Sequence, residues 1–240
     1  MKKSDIPIQI NKIHRTDCLE GLKKLPDKSV DLAFIDPPYN VGKDYGISKD
    51  NLPQEEYLEM MQNIINEFRR ITKRGFGIYI DWKQFQRYWK LAPEAEPIII
   101  YKKSTGFIFS PLKIMQHHHI ILTTAKAIKP VKSLWDDIRV LGEGYLFNEK
   151  RFEHPAQTSL KATKRFIEHF SEKGEVVVDC FAGCGTTAVA CKELERNFIG
   201  FELNPEYIKT ANNRLSQSNL KDITNSSTPN KNKEDIVIGG

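Results

Sequence analysis

Glu175-Val-Val-Val-Asp-Cys-Phe-Ala-Gly-Cys-Gly185, followed by Thr186 to Glu195 and then by Asn197-Phe-Ile-Gly-Phe-Glu202, decides the architecture. The apolar run Val176 to Val178 gives way to a loop of small residues, a helical stretch, a turn at Asn197 and a second apolar run, Phe198 to Phe201. Strand, helix and strand in such close succession predict a parallel pair joined by a crossover helix, the repeating unit of a doubly wound α/β sheet. Ligands of such sheets bind beyond the carboxyl ends of the strands. The loop Phe181-Ala-Gly183-Cys-Gly185 lets backbone approach a ligand, and Glu202, closing the next strand, is placed to accept hydrogen bonds from ribose hydroxyls. A nucleoside-containing cofactor is expected, although small residues here would also serve plain strand-to-helix packing. Ala188 stands where the dinucleotide pattern G-x-G-x-x-G needs its third glycine, which disfavours a dehydrogenase.

Working outward, Ile8 to His14, Ser29 to Ile35, Phe76 to Ile80 and Pro97 to Tyr101 read as further strands. Tyr57, Leu58, Met61, Ile64, Ile65, Phe68 and Ile71 recur at helical spacing, with Pro53 near the start and Gly75 past the basic end. Another helix fills Leu160 to Phe170 and stops at Lys173-Gly174. Asn204-Pro205-Glu206 supplies a cap, a proline and an acid for a last helix running to about Leu215. From Ser216 onward the composition is polar and aperiodic, so 216–240 is expected to be a mobile tail, with Ile236 to Ile238 as a candidate docking point.

Composition is that of a globular protein: 240 residues, 40% of them hydrophobic, and a net charge of +5. Cys18, Cys180, Cys184 and Cys191 lack the spacing of a disulfide framework or a zinc site, which points to a reducing, cytoplasmic setting. No window approaches a membrane-spanning length of apolar residues, and Lys2, Lys3 and Asp5 stand where a signal core would be. Charge is concentrated. Pro97 to Trp135 holds Lys102, Lys103, Lys113, Lys126, Lys129 and Lys132 and not one Asp or Glu, which marks a surface for a polyanion. Phe107, Phe109 and Trp135 within it read as a small core or as base wedges, the core being preferred. Lys83, Arg87 and Lys90 extend a basic face or line a solvated helix edge. Adjacent side chains of His117, His118 and His119 point to different faces of an extended chain, so no metal is assigned.

The run Ser29 to Ile35 stops at Asp36-Pro37-Pro38-Tyr39. Two prolines lock the backbone and supply no competing donors, Asp36 offers a carboxylate acceptor and Tyr39 a flat face, a set able to grip a planar amine. A rigid turn with a packed tyrosine would look similar.

Asp36-Pro37-Pro38-Tyr39 resembles the catalytic motif of amino-group DNA methyltransferases, and Phe181-Ala-Gly183-Cys-Gly185 resembles their S-adenosylmethionine loop. With the catalytic motif early and the cofactor loop late, the order is similar to that of the β class. His154-Pro155-Ala156-Gln157, Asp17-Cys18-Leu19-Glu20 and Leu25-Pro26-Asp27-Lys28-Ser29 match further motifs of that class, whereas Cys180 and Thr158-Ser159 depart from its usual Pro and Lys-Pro. The resemblance implies a class I methyltransferase fold: an α/β, doubly wound, mostly parallel seven-stranded sheet, circularly permuted. It implies one domain over 1–215, with 102–150 as a small inserted target-recognition region. It also implies a cofactor site drawn from Asp17, Cys18, His154, Pro155, Gln157, Asp179, Phe181, Gly183, Gly185, Thr186, Glu202 and Asn204. Catalysis would fall to Asp36, Pro37, Pro38 and Tyr39, and duplex DNA would meet the six lysines.

The implied reaction moves a methyl group from S-adenosylmethionine to the N6 amine of a flipped adenine, since cytosine N4 members more often carry Ser where Asp36 stands. Cytosine N4 is the alternative. More distant are RNA or protein-glutamine methylation and a non-catalytic DNA-binding module. A homodimer and a cognate restriction endonuclease acting on the same site are the further partners the resemblance suggests.

Overall fold

The computed structural model describes residues 8–47, 50–101, 118–138 and 157–225. Expectations for Lys102, Lys103, Phe107, Phe109, Lys113, His117, His154, Pro155 and Ile236 to Ile238 lie outside the described residues. In chain order the elements are β1 (Lys12–Arg15), α1 (Cys18–Lys23), β2 (Leu32–Ile35), α2 (Gln54–Ile71), β3 (Phe76–Asp81), a 3-10 turn (Trp82–Gln84), α3 (Phe85–Leu91), β4 (Glu96–Tyr101), β5 (His118–Thr123), β6 (Leu134–Trp135), α4 (Leu160–Phe170), β7 (Val176–Asp179), α5 (Thr186–Glu193), β8 (Asn197–Glu202) and α6 (Pro205–Asn225).

The strands form one sheet in the order β1-β8-β7-β2-β3-β5-β4-β6, with β5 antiparallel to both its neighbours. Each central strand is apolar throughout because both faces are covered. Along β2, Ala33 and Ile35 face the layer of α1, α2 and α3, while Leu32 and Phe34 face α4, α5 and α6. Helix α2 buries Tyr57, Met61, Ile64, Ile65, Phe68 and Ile71, each worth roughly 1.5–3 kcal/mol when fully removed from water. On the other face Phe166 stacks on Phe34 with ring centroids 4.8 Å apart. That contact needs glycine beneath it: a Cβ at Gly77 would lie 2.3 Å from Phe166.

From β7 the chain crosses through α5 to β8 on one side. From β2 it crosses through α2 to β3 on the other. The β7–β2 junction is therefore the switch point at which a crevice opens beyond the strand ends. Permutation is visible in the order, since the strand that leads into the glycine loop is central yet comes late in the chain. At the opposite edge, ion pairs between Lys73 and Asp31 (2.8 Å) and between Arg74 and Glu175 (2.7 Å) tie the strand starts together.

The sheet has eight strands where seven were expected. The extra one, β6, is a two-residue strand beside β4, too short to carry a period; Ile99 N–H donates to the Ser133 carbonyl at 2.7 Å and Trp135 is 2% exposed. Trp135 is core, with the Arg165 guanidinium 5.4 Å from its ring centroid. Strands β5 and β6 both fall within 102–150, so these described parts of the expected inserted region pair into the sheet. Within that region the short apolar run Ile120 to Leu122 is flanked by histidines and lysines and pairs on both sides. Helix α6 likewise continues to Asn225, into the expected tail, through a polar sequence with no apolar period to read. Among the described residues no helix is long and apolar enough to cross a membrane.

Candidate active site

Strands β2, β7 and β8 end at the same edge, and their terminal acids converge there. A cavity of about 300 Å³ is lined by Thr16, Asp17, Cys18, Asp36, Pro37, Pro38, Tyr39, Asn40, Tyr45, Ile47, Asp50, Leu52, Tyr57, Met60, Cys180, Phe181, Gly183, Glu202, Leu203 and Tyr207. A smaller recess of about 30 Å³ brings together Asp36, Gln157, Thr158, Asp179, Phe181, Gly183 and Thr186, among others.

Asp36 follows β2 directly. Its Oδ1 accepts a hydrogen bond from the Tyr39 hydroxyl at 2.5 Å, and its Oδ2 accepts one from Thr158 Oγ1. Burial pushes the Asp36 carboxyl up to about 6, against the lowering effect of Thr158, Tyr39 and Lys43. The turn that follows is held by its carbonyls. Tyr57, whose hydroxyl lies 2.5 Å from that of Tyr88, donates to the Pro38 carbonyl at 2.8 Å, and Gln84 Nε2 donates to the Tyr39 carbonyl at 3.2 Å. The Pro37 carbonyl has no such partner among the described residues. Asn40 adopts a φ of 57°, tolerated by asparagine, and turns the chain into a loop gripped by Asp50, which accepts from Asn40 N–H at 2.6 Å and Val41 N–H at 3.0 Å.

On the β7–β8 side, Glu202 accepts from the Gly183 and Asn204 amides, each at 2.8 Å, so one carboxylate bridges the glycine loop and the start of α6. Gly185 caps α5 at φ 79°, left-handed backbone, and a Cβ there would lie 2.7 Å from Ala211. Asp179 is buried; it accepts from Phe181 N–H at 2.9 Å, and burial raises its carboxyl to about 7. Asp17 lines the cavity, but its Oδ1 caps α1 through Leu19 N–H (2.9 Å) and Glu20 N–H (3.2 Å). Cys18 lines it too, its thiol pushed up to about 12 by burial beside Asp17. Asn204 stands behind the cavity, accepting from Glu206 N–H at 3.0 Å and donating to the Tyr45 carbonyl at 2.9 Å. Thr186 receives a hydrogen bond from Arg214 at 3.2 Å.

The described lysines are not gathered at this edge. The Lys126 amide donates to the Arg74 carbonyl ahead of β3, and Lys129 pairs with Glu168 at 3.2 Å near the end of α4, both at the edge remote from the cavity. Lys132 precedes β6. Among the described residues no group of three or more His, Cys, Asp or Glu is arranged to hold a metal ion. Sequence reading missed Asp50 and the Tyr57–Tyr88 pair. Asp50 sits in an aperiodic polar stretch that gives no signal, and Tyr57 reads as one apolar position of a helix, its hydroxyl being the available clue.

The strand order, the switch-point crevice, the glycine loop and the acid closing β8 define a class I S-adenosylmethionine-binding methyltransferase. A family model described as DNA methylase, of the N6/N4 type, matches residues 30–88 and 82–213, and the chain belongs to that family. It is 30% identical over 232 residues to the type II methyltransferase M.HpaI of Haemophilus parainfluenzae, covering 83% of this chain and 72% of that protein. It is 29% identical over 240 residues to the DNA adenine methyltransferase YhdJ of Escherichia coli, covering 83% of this chain and 80% of that protein. The fold matches that of TTHA0409, a putative DNA modification methylase from Thermus thermophilus solved with S-adenosyl-L-methionine, at a TM-score of 0.64, with 24% identity and coverage of 86% of this chain and 93% of that one. It also matches the cytosine-N4-specific PvuII DNA methyltransferase at a TM-score of 0.64, with 20% identity and coverage of 89% and 90%. The chain is a DNA methyltransferase whose cofactor is S-adenosylmethionine. The site suits that ligand: Asp17 and Glu202 around one cavity fit a cation carrying a ribose, and Gly183 lines that cavity with left-handed backbone, whereas Gly185 packs against Ala211 and lines neither recess.

Proposed function

We propose that this methyltransferase acts on the N6 amine of an adenine turned out of duplex DNA. The observation that carries the reading is the turn after β2. Its Pro38 and Tyr39 carbonyls are taken by Tyr57 and Gln84, while the Pro37 carbonyl has no partner among the described residues and Asp36, held by the Tyr39 and Thr158 hydroxyls, lines the same cavity as Pro37. An exocyclic amine is a poor nucleophile because its lone pair is delocalised into the ring. Two acceptors that take its two hydrogens let the nitrogen become tetrahedral and turn that pair outward, so the barrier falls by alignment and electrostatics. When bound, S-adenosylmethionine supplies the electrophilic methyl group. Glu202 is the acceptor for its ribose hydroxyls, Phe181, Gly183 and Gln157 border the rest, and Gly185 shapes the loop from behind by letting α5 start against Ala211. Such an amine is out of reach inside a duplex, so the base must leave the stack, and the Tyr39 ring is the surface that receives it. Asp36 and the likeness to an adenine methyltransferase support adenine over cytosine. Lys102 and Lys103, which follow Tyr101, are the candidate phosphate contacts.

Asp36→Ala is expected to slow methyl transfer by the equivalent of about 3 kcal/mol or more while S-adenosylmethionine affinity stays near that of the wild type. Mass spectrometry of nucleosides from duplex DNA incubated with isotopically labelled cofactor, together with calorimetry of cofactor binding, checks both claims. Wild-type turnover in the variant would remove Asp36 from catalysis, and N4-methylcytosine as the product would overturn the choice of base.

A further inference from the structure

We propose that Thr158 is a positioning residue for methyl transfer: its hydroxyl, donating to Asp36 Oδ2, fixes the carboxylate so that Oδ1 is the oxygen presented to the target amine. The inference rests on the reading of Asp36 given above and concerns how that group is held. Both oxygens of Asp36 are engaged, one by Thr158 and one by Tyr39. The two donors differ. The Tyr39 hydroxyl has a second acceptor, the Tyr79 carbonyl at 3.1 Å, to which it can turn when an amine takes its place at Oδ1. Thr158 Oγ1 has Asp36 as its acceptor and no second one among the described residues.

Thr158 is held where it stands. It precedes Ser159, which is 1% exposed and begins α4, accepting from Ala162 N–H at 3.3 Å through its side chain and from Thr163 N–H at 3.0 Å through its carbonyl. Helix α4 is locked in turn to the strand that carries Asp36, through the stacked rings of Phe166 and Phe34 at 4.8 Å. One rigid contact thus sets both ends of the Thr158–Asp36 hydrogen bond.

A hydroxyl that donates to a carboxylate favours its ionised, acceptor form, and Thr158 acts in this sense on a group that burial pushes up to about 6. The other groups that face Asp36 are Tyr39, Lys43 and Tyr45 from the loop after β2, Tyr88 from α3 and Asp179 from β7. None is altered by a change at Thr158.

The test measures initial rates of methyl transfer from radiolabelled S-adenosylmethionine to unmethylated duplex DNA across pH 5 to 9, for the wild type and for Thr158→Val, Thr158→Ala, Thr158→Ser and Asp36→Asn. Thr158→Val is expected to lower kcat about 10- to 100-fold, as loss of a charge-assisted hydrogen bond does. It should also move the acid limb of kcat/KM, which reports Asp36 in the free enzyme, to higher pH, with cofactor affinity by calorimetry unchanged. Thr158→Ser, which keeps the hydroxyl, should restore both the rate and the limb. Thr158→Ala should repeat the valine result and stands in for it if valine impairs folding. Wild-type kcat and limb in the valine and alanine variants overturn the inference, as does a loss that serine shares or that leaves the limb in place. Should Asp36→Asn itself keep full turnover, the reading of Asp36 has failed rather than this one.

Discussion

Asp179 carries a carboxyl group that is 6% exposed, and burial drives it up to about 7 despite hydrogen bonds from Thr187 and from the Phe181 amide. A free Asp titrates near 3.9, so between about pH 4 and pH 7 the folded protein holds a proton that the unfolded chain has released. Stability from this group is fully present at the acid end of that window and declines as pH rises through it, by an amount on the order of a few kcal/mol. Asp179→Asn removes the titration while keeping an acceptor for the Phe181 amide. The difference in Tm, variant minus wild type, should therefore grow from pH 5 to pH 8 in the protein without cofactor. A difference that stays constant would mean Asp179 is ionised throughout. Residues of this kind show where sequence reading succeeds and where it stops. Asp36, Tyr39, Gly183, Gly185 and Glu202 announce themselves by standing just past apolar runs. The partners that hold them do not, because Thr158, Gln84 and Asp50 are ordinary polar residues whose meaning depends on chain that returns from far away.

Helix α4 is the element on which the site's geometry leans, and its seat is made by a missing side chain. Phe166 is fully buried between Phe34 and Phe170, with ring centroids 4.8 and 4.4 Å away, and its ring occupies the space a Cβ at Gly77 would need. Gly77→Ala should destabilise the fold by roughly 1–3 kcal/mol, the usual cost of overpacking a core, read as a lower midpoint in urea unfolding. Phe166→Leu placed on top should recover part of the loss, since the pair share one space and their effects will not add. Simple additivity in that cycle would show that the ring and the glycine are not coupled. Elements with strong periods, such as α2, α4 and the strands β2, β7 and β8, were legible in the sequence. Strand β5 was hidden by the lysines around it, β6 by its brevity and the last turns of α6 by their polarity. In each case the missing information was a neighbour: β5 is a strand because β3 and β4 flank it.

At the scale of the molecule, the described lysines of the acid-free segment lie away from the site. Lys126 and Lys129 lie at the edge of the sheet opposite the cavity, and Lys129 is already paired with Glu168. Replacing both by alanine should leave DNA affinity and its salt dependence as in the wild type. Lys102→Ala with Lys103→Ala should weaken binding to target and non-target duplexes alike and flatten the slope of log affinity against log salt by about 0.9 for each phosphate no longer neutralised. Fluorescence anisotropy at several salt concentrations separates the two pairs, and a full slope in the second variant would remove Lys102 and Lys103 from the DNA face. The permuted sheet has one more consequence, felt before any DNA is met. Strand β2 finds its central neighbour β7 only after a long excursion: the Val176 amide donates to Asp31, 145 residues earlier. While the chain is being synthesised, β2 and β3 leave the ribosome with the inner edge of the sheet bare, and no local contact closes it. Until the cofactor half emerges, the apolar strand β2 lacks the neighbour that covers its inner edge, which makes the order of synthesis a direct consequence of the permutation.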